Sequence, residues 1–278
     1  MRKFNGMRRQ QLGLSLVELM VALVLGLVLM TGIIQVFLSS RQTYATNEAM
    51  ARMQENGRFA LEFISRSARL AGYVEPIYTD NKPLPFVRPL CTGLPGTVPS
   101  TLCSVNGAGN ASDNISFIMQ PALVDGEKRD CLGNIVGDSD LIINNFSIIA
   151  ANGNTPAALG CRAYNLTTAS WTAGPDAQAL VEGVDRLQVL YGINTGGDSR
   201  SANQYVSADR VGNNLSDWQK VRSVRISVLA NSVVTTNSTP ANRQFVLLDA
   251  APLTAANLNN DQRSRQVFTT TIQLKNTD

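Results

Sequence analysis

A long apolar run begins the pattern of hydrophobic and polar positions. Residues Leu14 to Leu38 are nearly continuous apolar sequence, and no charged residue lies between Leu19 and Ser40. About 20 apolar residues in a helix rise roughly 30 Å, which is enough to cross the hydrocarbon core of a bilayer. The run therefore predicts a transmembrane helix, which we assign to residues 14–40.

Helical periodicity continues beyond this run. Between Thr46 and Tyr73, small or apolar residues recur every three to four positions, and charged residues occupy the other faces. The periodic positions are Met50, Met53, Gly57, Ala60, Ile64, Ala68 and Ala71. Gly72 and the following Pro76 mark the end of the helix. The pattern predicts one long helix whose second half, residues 41–75, is amphipathic.

The rest of the chain has the character of β-strands. An irregular segment rich in proline and glycine comes first, and short β-branched or apolar runs follow, separated by polar turn residues. The predicted strands are residues 114–119, 140–150, 184–191, 221–229, 244–248 and 266–274. Partial alternation within 221–228 favours an antiparallel strand that is buried on one face. The fold class is therefore α+β, a long amino-terminal helix packed on a mostly antiparallel β-sheet head domain, residues 76–278.

The charges are unevenly placed. Residues 1–13 carry four basic side chains and no acid, and positive charge before an apolar span predicts that its amino end is cytoplasmic. The whole chain has 24 Lys+Arg and 21 Asp+Glu, so without the first 13 residues the balance is 20 to 21. The basic excess is therefore an orientation signal. The remaining arginines are scattered, so we do not expect a nucleic-acid partner.

Glu18 changes the interpretation of the span. A carboxylate costs about 2.5–3.5 kcal/mol at mid-bilayer and less near the interface, so Glu18 fits a headgroup position. Its context is more specific, because a basic leader is followed by Gly13, an apolar residue and then an acid five positions after the glycine. This arrangement resembles the type IV prepilin (class III) signal. In that family a membrane-embedded aspartyl peptidase cuts after the glycine and methylates the new amino terminus.

The resemblance extends over residues 10–75, which are similar to the PilW-type minor pilins. It implies that residues 1–13 are a cleaved leader and that Gly13 is its last residue. Leu14 is then the first mature residue and the site of N-methylation, where phenylalanine is commoner. Glu18 becomes the acidic fifth residue, which registers assembly by pairing with the Leu14 ammonium of a neighbouring subunit.

The resemblance also implies a function. The chain is expected to be a structural subunit without enzymatic activity or cofactors, which helps to initiate type IV pilus assembly at or near the filament tip. That role supports piliation, twitching motility, adhesion or DNA uptake. The implied partners are prepilin peptidase, other minor pilins, the major pilin, a tip adhesin and the assembly platform. The implied location is the bacterial inner membrane, with a single pass and a periplasmic head, and the pilus after assembly.

A second candidate belongs to the same filament superfamily. A J-like minor pseudopilin of a type II secretion system would share the signal and the fold. The sequence alone leaves this alternative open.

The four cysteines, Cys91, Cys103, Cys131 and Cys161, all follow the predicted span. An even number in an oxidising compartment predicts two disulfides, for which three pairings exist. We favour Cys91–Cys103, which closes the proline-rich loop, and Cys131–Cys161, which joins two neighbouring β segments. Free thiols are the alternative. Metal ligation is disfavoured because the cysteines lack C-x-x-C spacing and the chain has no histidine.

The absence of histidine also excludes Ser-His-Asp and Cys-His catalysis. Residues 137–141 nearly form the GDSL block of a hydrolase, but Asp140 is inserted, and we interpret the segment as a turn that enters a strand. A membrane-anchored periplasmic hydrolase is therefore disfavoured. A weak calcium candidate remains at Asn194 and Asp198, with Asn203 nearby, because oxygen ligands on a glycine-rich loop suit Ca²⁺. A hairpin turn is the favoured interpretation of that loop.

Overall fold

The computed structural model describes residues 13, 15–75, 83–91, 94, 98–153, 155–196, 201–236 and 243–277. It divides into two compact units, Met1–Glu48 and Ala49–Asp278. Helix α1 spans Leu16–Leu70, which confirms the predicted long amino-terminal helix. Two short helices, α2 (Ala208–Val211) and α3 (Leu215–Trp218), lie in the second unit.

In the second unit, one face of α1 is buried. Its buried residues are Ala49, Met53, Gly57, Ala60, Ile64, Ser65, Ser67 and Ala68. The predicted stripe was wrong at its first position, because Met50 is 43% exposed and Ala49 is buried instead. Neighbouring residues on a helix lie about 100° apart, so only one of the two side chains can face the sheet. Ser67 was missed because its hydroxyl, although polar, accepts a hydrogen bond from Asn144 inside the head.

Small residues let α1 approach the sheet closely. Ala60 and Ala68 are fully buried, and a Cβ added to Gly57 would overlap the ring of Phe268. A larger side chain at these positions would separate the helix from the strands and open gaps in the core.

The end of α1 is fixed by Gly72. This residue has φ +77°, a conformation that glycine adopts at little cost, and its N–H donates to the carbonyl of Ile118 at 2.8 Å. Asn276 closes the same end, because its amide nitrogen donates to the carbonyl of Ala71 at 3.2 Å. The predicted stop at Gly72 therefore lies two residues beyond the last helical residue, Leu70.

The strands are numbered in chain order. They are β1 Ile115–Met119, β2 Leu123–Val124, β3 Glu127–Arg129, β4 Ile135–Val136, β5 Ile142–Ile149, β6 Ala158–Asn165, β7 Ser170–Trp171, β8 Gln178–Glu182, β9 Val184–Ile193, β10 Gln204–Val206, β11 Val221–Asn231 and β12 Arg265–Gln273. Short 3₁₀ turns lie at Pro89–Cys91, Ser100–Leu102 and Ala255–Leu258.

These strands form three antiparallel sheets. The first has the order β1-β5-β6-β7, with β8 also paired to β6, and the second has the order β10-β9-β11-β12. A small third sheet has the order β2-β3-β4. One core cluster contains residues of α1 and of both larger sheets, including Ile64, Phe146 and Ile226. The predicted class, a long helix on a mostly antiparallel β head, is therefore confirmed.

Several strand predictions differ from the structure. Residues 244–248 form no strand, and only an isolated bridge joins Phe245 to Leu253. Strands β6 and β8 were missed, because glycine, alanine and polar residues interrupt the β-branched pattern there. Strand β11 is buried on both faces rather than one. Val224 packs in the main core, and Leu229 packs in a second cluster with Leu247.

Candidate functional site

The amino-terminal end of α1 is capped by a side chain. Ser15 immediately precedes the helix, and its hydroxyl oxygen accepts the N–H of Glu18 at 3.2 Å. The carbonyl of Ser15 accepts the N–H of Leu19, also at 3.2 Å. Serine followed three residues later by glutamate is the spacing of a capping box, and a carboxylate in the first turn also interacts favourably with the helix dipole. Sequence reasoning missed this role of Ser15, although the S-x-x-E spacing was the signal.

Gly13 lies just before this start and is exposed. A Cβ added to it would meet nothing within 4 Å, so the fold itself does not require glycine at this position. Any requirement for a small residue at this position must come from a partner that binds the segment. Leu14 and residues 1–12 lie outside the described residues.

The first part of α1 is apolar on all sides and uncovered. Every residue from Ser15 to Ala45 is exposed, including large aliphatic side chains such as Leu16 at 75% and Val28 at 65%. None of its most apolar part is buried. A helix that is apolar all round belongs in lipid or against other apolar helices. By length and composition, this stretch is able to cross a membrane.

Polar side chains inside the apolar stretch bond within the helix. The hydroxyl of Thr31 donates to the carbonyl of Leu27 at 2.8 Å, and that of Thr43 donates to Ser39 at 2.9 Å. Such bonds satisfy the hydroxyl donors of these two threonines in an apolar medium. Glu18 differs from them, because it places an acidic side chain on the outside of the apolar helix, where a cation from another molecule can reach it.

The structure brings together two cysteine pairs in the head, Cys91 with Cys103 and Cys131 with Cys161. The Cα atoms are 5.0 Å apart in the first pair and 6.5 Å apart in the second. The first disulfide joins two 3₁₀ turns, and the second joins the turn after β3 to strand β6. Closing loops of 12 and 30 residues restricts the unfolded chain. In the chain-entropy account, each closure is worth about 3–4 kcal/mol.

The oxygen ligands suggested for calcium are partly engaged in a turn. The side-chain oxygen of Asn194 accepts the N–H of Gly196 at 2.8 Å, and its amide nitrogen donates to Ser201 at 3.0 Å. The side-chain oxygen of Asn203 faces Thr195. Asp198 lies outside the described residues. Across the part of the chain that the structure describes, no group of three or more His, Cys, Asp or Glu residues is arranged to hold a metal ion.

The segment that resembles a hydrolase block is a turn between β4 and β5. The carboxylate of Asp140 accepts the N–H of Gly137 at 2.8 Å and the side-chain amide of Asn165 at 2.7 Å. Asp140 therefore closes the turn and anchors it to β6. The carbonyl of Asp138 accepts the buried ammonium of Lys128 at 2.7 Å. These contacts assign structural roles to both aspartates.

A buried carboxyl that sequence reasoning missed lies at Asp113, which is 3% exposed. Its two oxygens accept the N–H groups of Gly107 and Val189, at 2.8 and 2.7 Å. Burial raises the pKa of Asp113 to about 7, although these two hydrogen bonds act in the opposite direction. Asp113 thereby ties an irregular loop to strand β9. No residue pattern around it marked the position.

An ion-pair cluster fixes the start of β12. The guanidinium of Arg265 contacts Asp185 at 2.7 Å and bridges both oxygens of Asp261 at 2.6 and 2.7 Å. Asn231 donates to the other oxygen of Asp185 at 2.8 Å. The side chains of Arg265 and Asp185 are 6% and 10% exposed, so each charge depends on its partner. The cluster joins β9, β11 and β12 at one end of the second sheet.

Two sequence families match the chain. Residues 8–34 match the prokaryotic N-terminal methylation motif, and residues 146–276 match Type IV Pilus-assembly protein W, PilW. No curated protein matches the chain significantly. Among solved structures, the type IV-like pilin TTHA1219 from Thermus thermophilus is similar at 17% identity and a TM-score of 0.42, over 81% of this chain and 98% of that chain.

The two family matches fall on different parts of the geometry described above. The methylation motif covers Gly13, Glu18 and the exposed apolar part of α1. The PilW match covers strands β6 to β12, including the whole second sheet. The chain therefore carries the methylation motif at its amino end and is similar to the PilW family over much of its head.

Proposed function

We propose that this chain is a structural minor pilin that prepilin peptidase processes between Gly13 and Leu14. The observation that carries the proposal is that the methylation motif, residues 8–34, spans the start of an uncovered apolar helix. Residues 1–13 are the leader, and residues 14–40 are the membrane span that later enters the filament core. Within residues 41–75 the helix continues as far as Leu70, and residues 76–278 form the head. Gly13 supports peptidase access because it is exposed and has open space around it.

Glu18 sets the register of the assembled helices in this proposal. Its side chain is exposed on an apolar helix, where an isolated charge is costly once water is removed. The methylated Leu14 ammonium of a neighbouring subunit offsets that cost. One pairing position per subunit favours one axial offset between helices.

The proposed location follows from the charges. The basic leader places the amino end in the cytoplasm and the head in the periplasm, with a single pass through the inner membrane. After processing, the subunit joins other minor pilins and the major pilin through the assembly platform, at or near the filament tip. There it helps to initiate assembly and supports piliation, twitching motility, adhesion or DNA uptake. The chain needs neither a cofactor nor enzymatic activity for this role.

Intact mass and amino-terminal sequencing of the protein from membranes test the processing step. We expect mature material that begins at methylated Leu14, and full-length material in a strain without the peptidase. Replacing Gly13 with alanine should slow cleavage, whereas Gly13→Trp should block it. An identical mass in the presence and absence of the peptidase would overturn the proposal.

Filament incorporation tests the role of Glu18. Glu18→Ala should leave membrane insertion normal and strongly reduce co-purification with sheared pili. Glu55→Ala is the matched control, because Glu55 is also exposed on α1 but lies outside the apolar stretch. Equal co-purification of both variants would remove the registering role.

Deletion of the gene separates the pilus from the secretion alternative. Loss of surface piliation or twitching with intact exoprotein secretion identifies a pilus subunit. The opposite result identifies a J-like pseudopilin. The match to a pilus-assembly family supports the first outcome.

A further inference from the structure

A groove lies in the second unit between α1 and the small third sheet. It encloses about 490 Å³, and most of its lining is apolar. Phe63 and Leu70 of α1 form one wall, Pro121 and Val124 form another, and Leu180 of β8 closes the side. A volume of this size is sufficient for several side chains of a bound molecule.

Exposed apolar side chains continue beyond the groove onto the third sheet, where an ion pair between Glu127 and Arg129 lies between them. Pairing of Val124 with Glu127 and of Arg129 with Ile135 places these four side chains on one face. Val124 and Arg129 line the groove, so this face borders it. Val124 and Ile135 are each 61% exposed, and Phe63 is 37% exposed. An uncovered apolar surface of this kind is typical of a protein-binding site.

The third sheet is held in place from its other side. Lys128 is buried there, and its ammonium contacts the carboxylate of Glu75 at 2.8 Å and the carbonyl of Asp138 at 2.7 Å. Gln120 adds a contact to the same carbonyl of Asp138. The exposed face of the third sheet is therefore held in one position. Little conformational entropy is lost from this face when a partner binds it.

The charges around the groove leave one cation uncompensated. Arg129 pairs with Glu127, and the carboxylate of Asp130 accepts the N–H groups of Leu132 and Asn134 at 2.8 and 2.9 Å. Arg66 also lines the groove and is exposed, and it makes no ion pair or hydrogen bond with any residue that the structure describes. A partner that carries a carboxylate opposite Arg66 would complement this charge.

The floor of the groove offers a further donor. Asn144 is 4% exposed, and its amide nitrogen lies 3.4 Å from the hydroxyl of Ser67 and 3.9 Å from the sulfur of Met119. Both contacts are long compared with a typical N–H···O distance of about 2.9 Å. These contacts hold the Asn144 amide at the groove, where it adds a polar group to a mostly apolar lining.

From these features we propose that the groove is a docking site for an apolar, acidic segment of another filament subunit. Apolar side chains of that segment fill the groove and cover Val124 and Ile135, and its carboxylate pairs with Arg66. A protein segment suits this surface better than a small ligand, because the exposed Ile135 and Glu127 share the face that borders the groove but lie outside its lining. The proposal rests on the proposed function, since it takes the partner from the same filament.

Site-specific photo-crosslinking in the full chain tests the proposal. Val124 is replaced with p-benzoylphenylalanine in piliated cells that carry this chain in place of their own copy. The matched control is the same replacement at Val246, which is 55% exposed and does not line the groove. We expect crosslinks from position 124 to a different filament subunit, within a segment that mass spectrometry identifies as apolar and acidic.

A charge reversal tests whether Arg66 contributes to binding of the partner segment. Arg66→Glu should lower the crosslink yield at position 124 by about tenfold, because attraction becomes repulsion. Arg58→Glu is the control, since Arg58 is exposed on α1 outside the groove. Non-reducing electrophoresis checks that both variants keep their disulfides and hence their folded heads.

Three results would overturn the proposal. They are a yield at position 124 no higher than at position 246, crosslinks only to lipid or to a second copy of this chain, and an equal yield for the two arginine variants. The mass of the mature chain is measured in the same samples. Cleavage after Gly13 without the crosslink rejects the docking site alone, whereas absence of cleavage rejects the proposed function.

Discussion

Two stretches of α1 have opposite surfaces. Between Leu16 and Leu38 the side chains are large and exposed, and Ile33 for example is 68% exposed. Between Ala49 and Ala71 the inward positions are mostly small and buried, and the one large branched residue, Ile64, is 0% exposed. The first stretch presents its apolar area to whatever surrounds the protein, and the second packs it against the head's own sheets. In α1, hydrophobicity alone therefore does not show whether a helix face packs inside the same chain or against other molecules. The size of the side chains distinguishes the two stretches.

The size difference has a physical cause. A helix in lipid or in a bundle gains from large aliphatic side chains, because each buried CH₂ contributes about 0.8 kcal/mol. A helix that lies against a preformed sheet gains from close approach, for which Gly57, Ala60 and Ala68 leave room. The following substitutions test this difference. Tryptophan fluorescence reports on unfolding of the head alone, because Trp171 and Trp218 both lie in the head.

The largest effect is expected where the head relies on internal charge pairing. Arg265→Leu leaves Asp185 buried without its cation and should lower the free energy of unfolding by about 3–5 kcal/mol. Arg263→Leu is the control, because its contact to Asp261 is 3.8 Å and partly exposed. Arg263→Leu should lower the free energy of unfolding by at most about 1 kcal/mol. Denaturant titration of the full chain in detergent measures both, and equal losses would contradict the role of the buried cluster.

A matched isoleucine pair tests the comparison directly. Ile64→Ala removes a fully buried side chain and should destabilise the head by about 2–5 kcal/mol. Ile33→Ala, made in the exposed stretch, should leave head unfolding unchanged. The same titration measures both variants. A similar loss in the two would show that the stretches do not differ in the way described.

A matched glycine pair tests close approach. Gly57→Ala forces the ring of Phe268 to move, at an overpacking cost of about 1–3 kcal/mol. The better helix propensity of alanine offsets about 1 kcal/mol of this cost, so the net loss in the free energy of unfolding is small. Gly32 has nothing within 4 Å of an added Cβ, so Gly32→Ala should not lower the midpoint of head unfolding. Thermal melts read by fluorescence check the pair; a stabilised Gly57→Ala head would refute close packing at this point.

The last effect depends on pH, at most about 1.4 kcal/mol for each pH unit, and concerns a buried carboxyl. The pKa of Asp113 is about 7 in the folded head, against an ordinary value of 3.8. Between these values the folded state keeps a proton that the unfolded chain has lost. Stability therefore falls as the pH rises from about 4 to 7, and Asp113→Asn should remove this slope.

Asp217→Asn is the control for that pH series. A hydrogen bond from Lys220 holds the pKa of Asp217 below its ordinary range, so the proton balance of Asp217 changes only at lower pH. Denaturant midpoints from pH 4 to 8 give the slopes. A flat profile for the wild-type chain would refute the raised pKa.

The parts of the fold that were predictable are those with long, regular patterns. The 3.6-residue period of α1 extends over 55 residues, and its end is marked by a glycine that needs positive φ. Strands β5, β9, β11 and β12 carry β-branched runs and were found within a few residues. Strand β6 was missed because glycine, alanine and polar residues interrupt its pattern, although Leu159 and Cys161 are buried in the main core. Residues 244–248 have a strand-like pattern, but their apolar residues pack as a loop in a side cluster around Leu247.

The candidate site divides in the same way. Gly13 and Glu18 were recognised because the signal is linear and depends on spacing. Ser15 was within the same signal, and only the structure showed that it caps the helix. The groove and Asp113 were not predictable, because Arg66, Val124 and Asn144 come from distant parts of the chain and meet only in the folded head.

The closure of the α1 end by Asn276 has a consequence for biogenesis. The hydrogen bond from Asn276 to Ala71 joins residues 205 positions apart, and Phe268 covers Gly57 across a similar interval. A chain delivered amino end first therefore completes the cover of this helix face only when its final strand arrives, although earlier strands already contact it at Ser67 and Gly72. We expect chains that stop before residue 265 to lack the contacts at Gly57 and Ala71 and to unfold more easily than the full chain. The last strand thus ties the stability of the helix to completion of the whole head.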